Sequence, residues 1–186
     1  MARFDSELLE AAALLIARGS RQRGRLPSAL IRRSISTTYY ALLHSLLEEM
    51  STRIVGVPND FRRGRRILTR VVTHKGAKAV LDKLRGQTVE ASIADFLRPP
   101  TGAAGPVLVP VFARDLARAF SDAQAKRHDA DYDMNKSISE TDAKLLRARV
   151  ERVIATWRAA RTAADRDFKH ALCILILLNG QLRTQP

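Results

Sequence analysis

The sequence predicts an all-α fold, a helical bundle of about five or six helices in one domain spanning residues 1–186. Three observations predict it. Apolar residues recur with the 3.6-residue period of a helix along most of the chain. No stretch of any length alternates apolar and polar residues as a half-buried strand would. Glycines and prolines fall between the periodic stretches, where helices end or begin.

Each element follows in order. Leu8, Ala12 and Leu15, joined by Leu9 and Ile16, share one face of a first helix, with Asp5 able to cap its start and Gly19 to stop it. Residues 20–26 are basic and polar and read as a loop. Pro27 and Ser28 open a second helix that ends near Ser51, and Ile35, Tyr39, Leu42 and Leu46 form its buried stripe. Gly56, Pro58 and Asn59 mark the next turn. A third helix is predicted over residues 60–84, with a break near Gly76. A short apolar piece, 93–97, precedes residues 98–106, whose prolines and glycines make a loop. Pro110 suits the first turn of a fourth helix, which carries Phe112, Leu116 and Phe120 and should end near Arg127. Ser137 and Glu140 have capping-box spacing for the next helix, whose stripe runs Leu146, Val150, Val153, Trp157, Ala160 and Ala164. A last helix, 165–178, is closed by Gly180. No internal repeat is visible.

Charge narrows the partners. The chain has 32 lysines and arginines against 19 acids, a formal net charge of +13. Such a balance favours polyanions and steers them electrostatically. Residues 53–85 concentrate it, with ten basic residues, seven of them arginines, against Asp60 and Asp82 alone. Arg62, Arg63, Arg65, Arg66 and Arg70 gather at the start of the third helix. An arginine presents phosphate with a planar fork of donors, so these five are the candidate nucleic-acid or phosphate contacts. A merely solvated basic face is the competing reading.

Other classes lack their signatures. The single cysteine, Cys173, sits in an apolar run and reads as a buried small hydrophobe in a reducing compartment. The longest apolar run, 171–178, is too short for a bilayer, and the N-terminal residues carry no secretion-signal pattern, so a cytoplasmic protein with no membrane partner is expected. No Gly-rich phosphate loop, Gly-x-Ser-x-Gly or His-Glu-x-x-His occurs, and no spacing fits a zinc or calcium site. Neither metal nor cofactor is therefore expected.

Two constellations remain. On the second helix Arg32, Ser36, Tyr40 and His44 are each four apart, a polar ridge beside the buried stripe that could line a cleft. Residues 127–133 read Arg-His-Asp-Ala-Asp-Tyr-Asp, a cation, an imidazole, three carboxylates and a phenol in seven positions. Asp131 and Asp133 could orient Arg127 or cap the following helix, and a structural turn explains the segment nearly as well. Arg127, Asp131 and Tyr132 are expected to face a partly enclosed polar pocket near Tyr40 and His44 of the same bundle or of the other protomer.

The two segments together resemble the HEPN domain family, in particular its small stand-alone bacterial members. Residues 26–49 are similar to the signature in which a basic residue precedes Tyr-Tyr-Ala and an apolar-His end. Residues 127–133 are similar to an Arg-x-x-Ala-Asp-Tyr-Asp variant, and 168–178 resemble the last helix. The resemblance implies an up-and-down bundle, a homodimer with its site between protomers, and RNA or a nucleotide as ligand. It also implies a pairing with a nucleotidyltransferase, as in toxin–antitoxin systems. Many such proteins are metal-independent endoribonucleases whose arginine is followed, four to six residues on, by histidine. Here those positions are Tyr132, Asp133 and Met134, and His128 is adjacent to Arg127. An RNA- or nucleotide-binding protein is therefore the first reading. A ribonuclease using Arg127 with His128 or Tyr132 is the second, and a helical scaffold without nucleic acid the third.

Overall fold

The computed structural model describes residues 3–21, 26–57, 61–99 and 105–178, with only the backbone of Leu26. The fold is all-α. Among the described residues there are eight helices: α1 (Phe4–Arg21), α2 (Leu26–Ile54), α3 (Arg62–Val71), α4 (His74–Asp82), α5 (Ala91–Leu97), α6 (Val111–Tyr132), α7 (Glu140–Ala159) and α8 (Ala163–Leu177). A single antiparallel bridge, Thr88 to Leu108, is the one extended pairing among them. The expected turn residues Pro58 and Asn59, the start at Asp60 and the stop at Gly180 lie outside the described residues, as do most of the loops at 20–26 and 98–106.

The count exceeds five or six because the expected third helix is two, and the apolar piece at 93–97 is a helix of its own. The break falls at Val72–Thr73. Thr73 is extended, and its side chain accepts the Gly76 N–H, capping α4. Other boundaries move as well. α1 runs through Gly19, which is buried; a Cβ there would meet Ile31 Cδ1 at 3.1 Å and the Pro27 carbonyl at 3.3 Å, so this glycine marks close packing and not a stop. α6 continues past Arg127 to Tyr132. α7 is capped by Ser139, two residues later than expected. The Asp142 N–H donates to Ser139 Oγ at 3.0 Å, and the Ser139 N–H donates to Asp142 Oδ2 at 3.1 Å. α8 begins with a complete capping box between Thr162 and Asp165.

The chain divides into two compact units, residues 1–45 with 119–155, and 46–118 with 156–186. In the first, α1 is buried along Asp5, Leu9, Ala12, Ile16 and Gly19, while Leu8 and Leu15 fall at its border. Ile35, Tyr39 and Leu42 of α2 are buried as the stripe requires, and Tyr39 packs edge-on against Phe120 of α6 at 5.6 Å. In the second, α8 packs against α4 and α5. Phe112, Trp157 and Phe168 form an aromatic cluster there, with ring centroids 5.5 and 6.1 Å apart. Lys169, 1% exposed, donates from Nζ to the carbonyls of Trp157 and Ala160, closing the C-terminal end of α7. Among the described residues no helix is long and apolar enough to cross a membrane.

Candidate functional site

Within the first unit the fold joins the two sequence segments through one carboxylate. Arg127 and Asp131 are one helical turn apart on α6, and Arg127 Nε donates to Asp131 Oδ2 at 2.8 Å. The other oxygen, Asp131 Oδ1, accepts from the hydroxyl of Ser36, a fully buried residue of α2. The guanidinium carbon lies 5.4 Å from the centre of the Tyr40 ring and 5.8 Å from that of Tyr39, within cation–π range of both. One edge of Arg127 is thus held by a carboxylate that is itself held, and aromatic rings flank the group. Among the described residues its Nη atoms have no hydrogen-bond partner, and the side chain is 21% exposed. Burial would lower the Arg127 pKa, but the Tyr40 hydroxyl, Asp131 and Tyr132 outweigh it, and the net shift is upward. Chemically this is a fixed cation with an open edge, suited to one oxygen of a phosphate or carboxylate.

The remaining expected cleft residues divide by role. Arg32 is a helix cap. Its Nη1 donates to the carbonyls of Asp129, Ala130 and Asp133, at 3.3, 3.2 and 2.9 Å, and its Nη2 donates to the Lys136 carbonyl. Asp133 accepts the N–H groups of Asn135 and Lys136 on Oδ1 at 3.0 and 3.3 Å, turning the chain out of α6. These bonds satisfy the carbonyls that a helix end leaves open, which is why α6 reaches Tyr132. His44 lies further along α2, its ring 6.5 Å from Tyr40 and edge-on to Phe4 at 4.9 Å. Burial lowers its pKa, against an upward pull from Asp5. His128 and Tyr132 are exposed and pair with each other, ring centroids 5.1 Å apart. Among the described residues the His128 side chain makes no hydrogen bond to Arg127; neighbours on a helix point about 100° apart. Tyr39 was not expected at the site. Its place in an apolar stripe reads as core, which it also is, and burial raises its pKa despite Arg127 nearby.

In the second unit α3 carries the arginines. The side chains of Arg62, Arg63, Arg66 and Arg70 are exposed and, among the described residues, make no ion pair or hydrogen bond. Their spacing sets all four within an arc of about 100° on a row about 12 Å long. Arg65 points elsewhere. Its Nη1 donates to the carbonyls of Gly56 and Val57 at 2.7 and 3.0 Å, tying down the chain that leaves α2. Exposed Ile67 and Val71 continue the arc beside the arginines. Arg53 of this unit is paired with Glu49 at 2.7 Å and Arg98 with Asp95 at 3.5 Å.

Among the described residues no three His, Cys, Asp or Glu side chains are grouped to hold a metal ion. Comparison of the chain with protein-family models, with curated proteins and with solved structures gave no match.

Proposed function

We propose that the chain is a HEPN-like, cytoplasmic RNA-binding protein that holds its ligand by phosphate, with α3 as the contact surface. The observation that carries this reading is the row Arg62, Arg63, Arg66 and Arg70, exposed and unpaired beside paired neighbours. Leaving four arginines unpaired on one arc stores mutual repulsion, which a line of phosphates relieves. Contacts to phosphate carry no sequence information, so binding held by this row is expected to vary little from one RNA sequence to another. The motif resemblance adds an up-and-down bundle that pairs as a homodimer, and a nucleotidyltransferase as a protein partner.

The test is fluorescence anisotropy with a labelled RNA at low salt, on the parent and on a variant with these four arginines changed to Ala. We expect binding to weaken by at least tenfold for every RNA sequence tried. Equal affinity would leave the row a solvated face and sink the reading.

A second reading, a metal-independent endoribonuclease, is favoured by the pre-oriented Arg127. The guanidinium would stabilise the phosphate while a base takes the 2′-hydroxyl proton. His128 or Tyr132 would act there from a second protomer. Cleavage of RNA in EDTA, lost in both Arg127→Ala and His128→Ala at unchanged helicity, would establish it; no cleavage by the parent protein would exclude it.

A further inference from the structure

The first unit has a cavity of about 120 Å³ on the flank of α6 opposite Arg127. Ala123 and Ala130 form the buried edge of α6 here. Arg127 and Asp131 lie to one side of that edge, Lys126 and Asp129 to the other. Ile35 of α2 and Ile138 of the α6–α7 connection supply apolar wall, and Lys126, Asp129, Lys136, Ser137 and Asp142 supply the polar remainder.

The walls are built in place. The connection is tied to α2 by the bonds from Arg32 to the carbonyls of Asp133 and Lys136, turned by Asp133, and anchored to α7 by Ser139 and Asp142. Lys136 is held by Asp129. Lys126 is held loosely, its Nζ 3.5 Å from Asp142 Oδ1, whereas Asp142 Oδ2 takes both the N–H and the hydroxyl of Ser139. Ser137 has no hydrogen-bond partner among the described residues. The cavity therefore keeps an ammonium with donors to spare and a free hydroxyl.

Its size and charge restrict the occupant. A space of 120 Å³ holds about four waters, far below a nucleotide site. Two lysines face two aspartates, so the lining is neutral overall. A small carboxylate would find Lys126 and Ser137 but would leave the site with an excess negative charge; a small amine would meet the reverse. A ligand that carries both charges satisfies both halves.

We infer that this cavity is a binding site for a small zwitterion, an α-amino acid with a short aliphatic side chain. Its carboxylate is taken by Lys126 and Ser137, its ammonium by Asp142 and Asp129, and its side chain by Ile35 and Ile138. This site is independent of the RNA reading.

Thermal unfolding of the full chain with glycine, alanine or valine, against acetate and ethylamine as single-charge controls, tests it. We expect at least one amino acid to raise Tm by on the order of 5 °C at a hundredfold excess over its Kd, and the rise to saturate. Lys126→Met, which keeps the stem, and Ile138→Trp, which fills the space, should each abolish the rise. Amide shifts of Ser137 and Ile138 in NMR titrations report the location even if one variant fails to fold. A rise that grows linearly without saturating is osmolyte exclusion and overturns the site. So does no rise with any amino acid, or a saturable rise that survives Lys126→Met.

Discussion

Single side chains decide how the first unit is organised, and Arg32 is the clearest. A guanidinium on α2 binds the last carbonyls of α6 and the chain beyond it, so one residue both ends a helix and fixes a turn. Arg32→Met should cost about 2 kcal/mol, the scale of charge-assisted bonds at a helix C-terminus, read from urea unfolding. His44 gives a pH signature. Its folded pKa is lowered from 6.5 by burial, so the unfolded chain takes up a proton first as pH falls. Its contribution is fully present above pH 6.5 and is lost as pH drops through the folded value. His44→Gln should flatten that part of the stability–pH curve; an unchanged slope would mean the imidazole is solvated. At this scale the sequence was partly legible. The four-residue spacing put Ser36 and Tyr40 on one ridge of α2, because i and i+4 share a helix face, whereas the bond between Arg127 and Asp131 needs α6 to run past the end expected for it. Spacing could not show that Arg32 and Asp133 serve the backbone, since caps depend on where a helix ends.

Helix boundaries were harder to read than helix faces. Leu146, Val150, Val153 and Trp157 are buried as their spacing requires, since packing selects the periodic face. Ala160 and Ala164 lie beyond the end of α7, because an alanine stripe runs on across a helix end without meaning anything. Gly19 and Ser137 misled for the opposite reason: each has the chemistry of a boundary, but a close neighbour or a better cap two residues on decided the outcome. α3 is an element whose face was expected and whose membership was not, because Arg65 turns to the carbonyls of Gly56 and Val57. Its prediction is quantitative. Each phosphate contact to single-stranded RNA contributes about 0.7 to the slope of log K against log salt, so removing Arg62, Arg63, Arg66 and Arg70 should lower the slope by about 3. Removing Arg65 alone should leave the slope unchanged and lower stability. A reversed result would exchange their roles.

For the molecule as a whole, the all-α class was legible because no competing period occurs anywhere in the chain. The division into two units was not, because α2, α6 and α7 each contribute to both, and an unbroken apolar stripe carries no sign of the boundary. Both units bury a weak acid in its protonated form. Burial pushes the Cys173 thiol from 9.0 up to about 12 and raises Tyr39 above its ordinary 10.0. Below pH 9 neither group affects stability. Above it the unfolded chain releases protons that the folded chain keeps, so stability falls as pH rises toward 12. Urea midpoints should decline from pH 9 upward, and Cys173→Val should remove the first part of the decline. A thiol reagent that labels the native protein rapidly at pH 8 would contradict the burial on which this rests.

α6 has a mechanical consequence of its own. Arg127 and Asp131 stand on one side of its buried alanine edge, Lys126 and Asp129 on the other, so both flanks are carried by one helix. Rotation that brings one pair inward carries the other outward, so the two flanks answer to a single degree of freedom. An occupant that turned the helix from one side would change affinity on the other, and linkage would make the two effects equal.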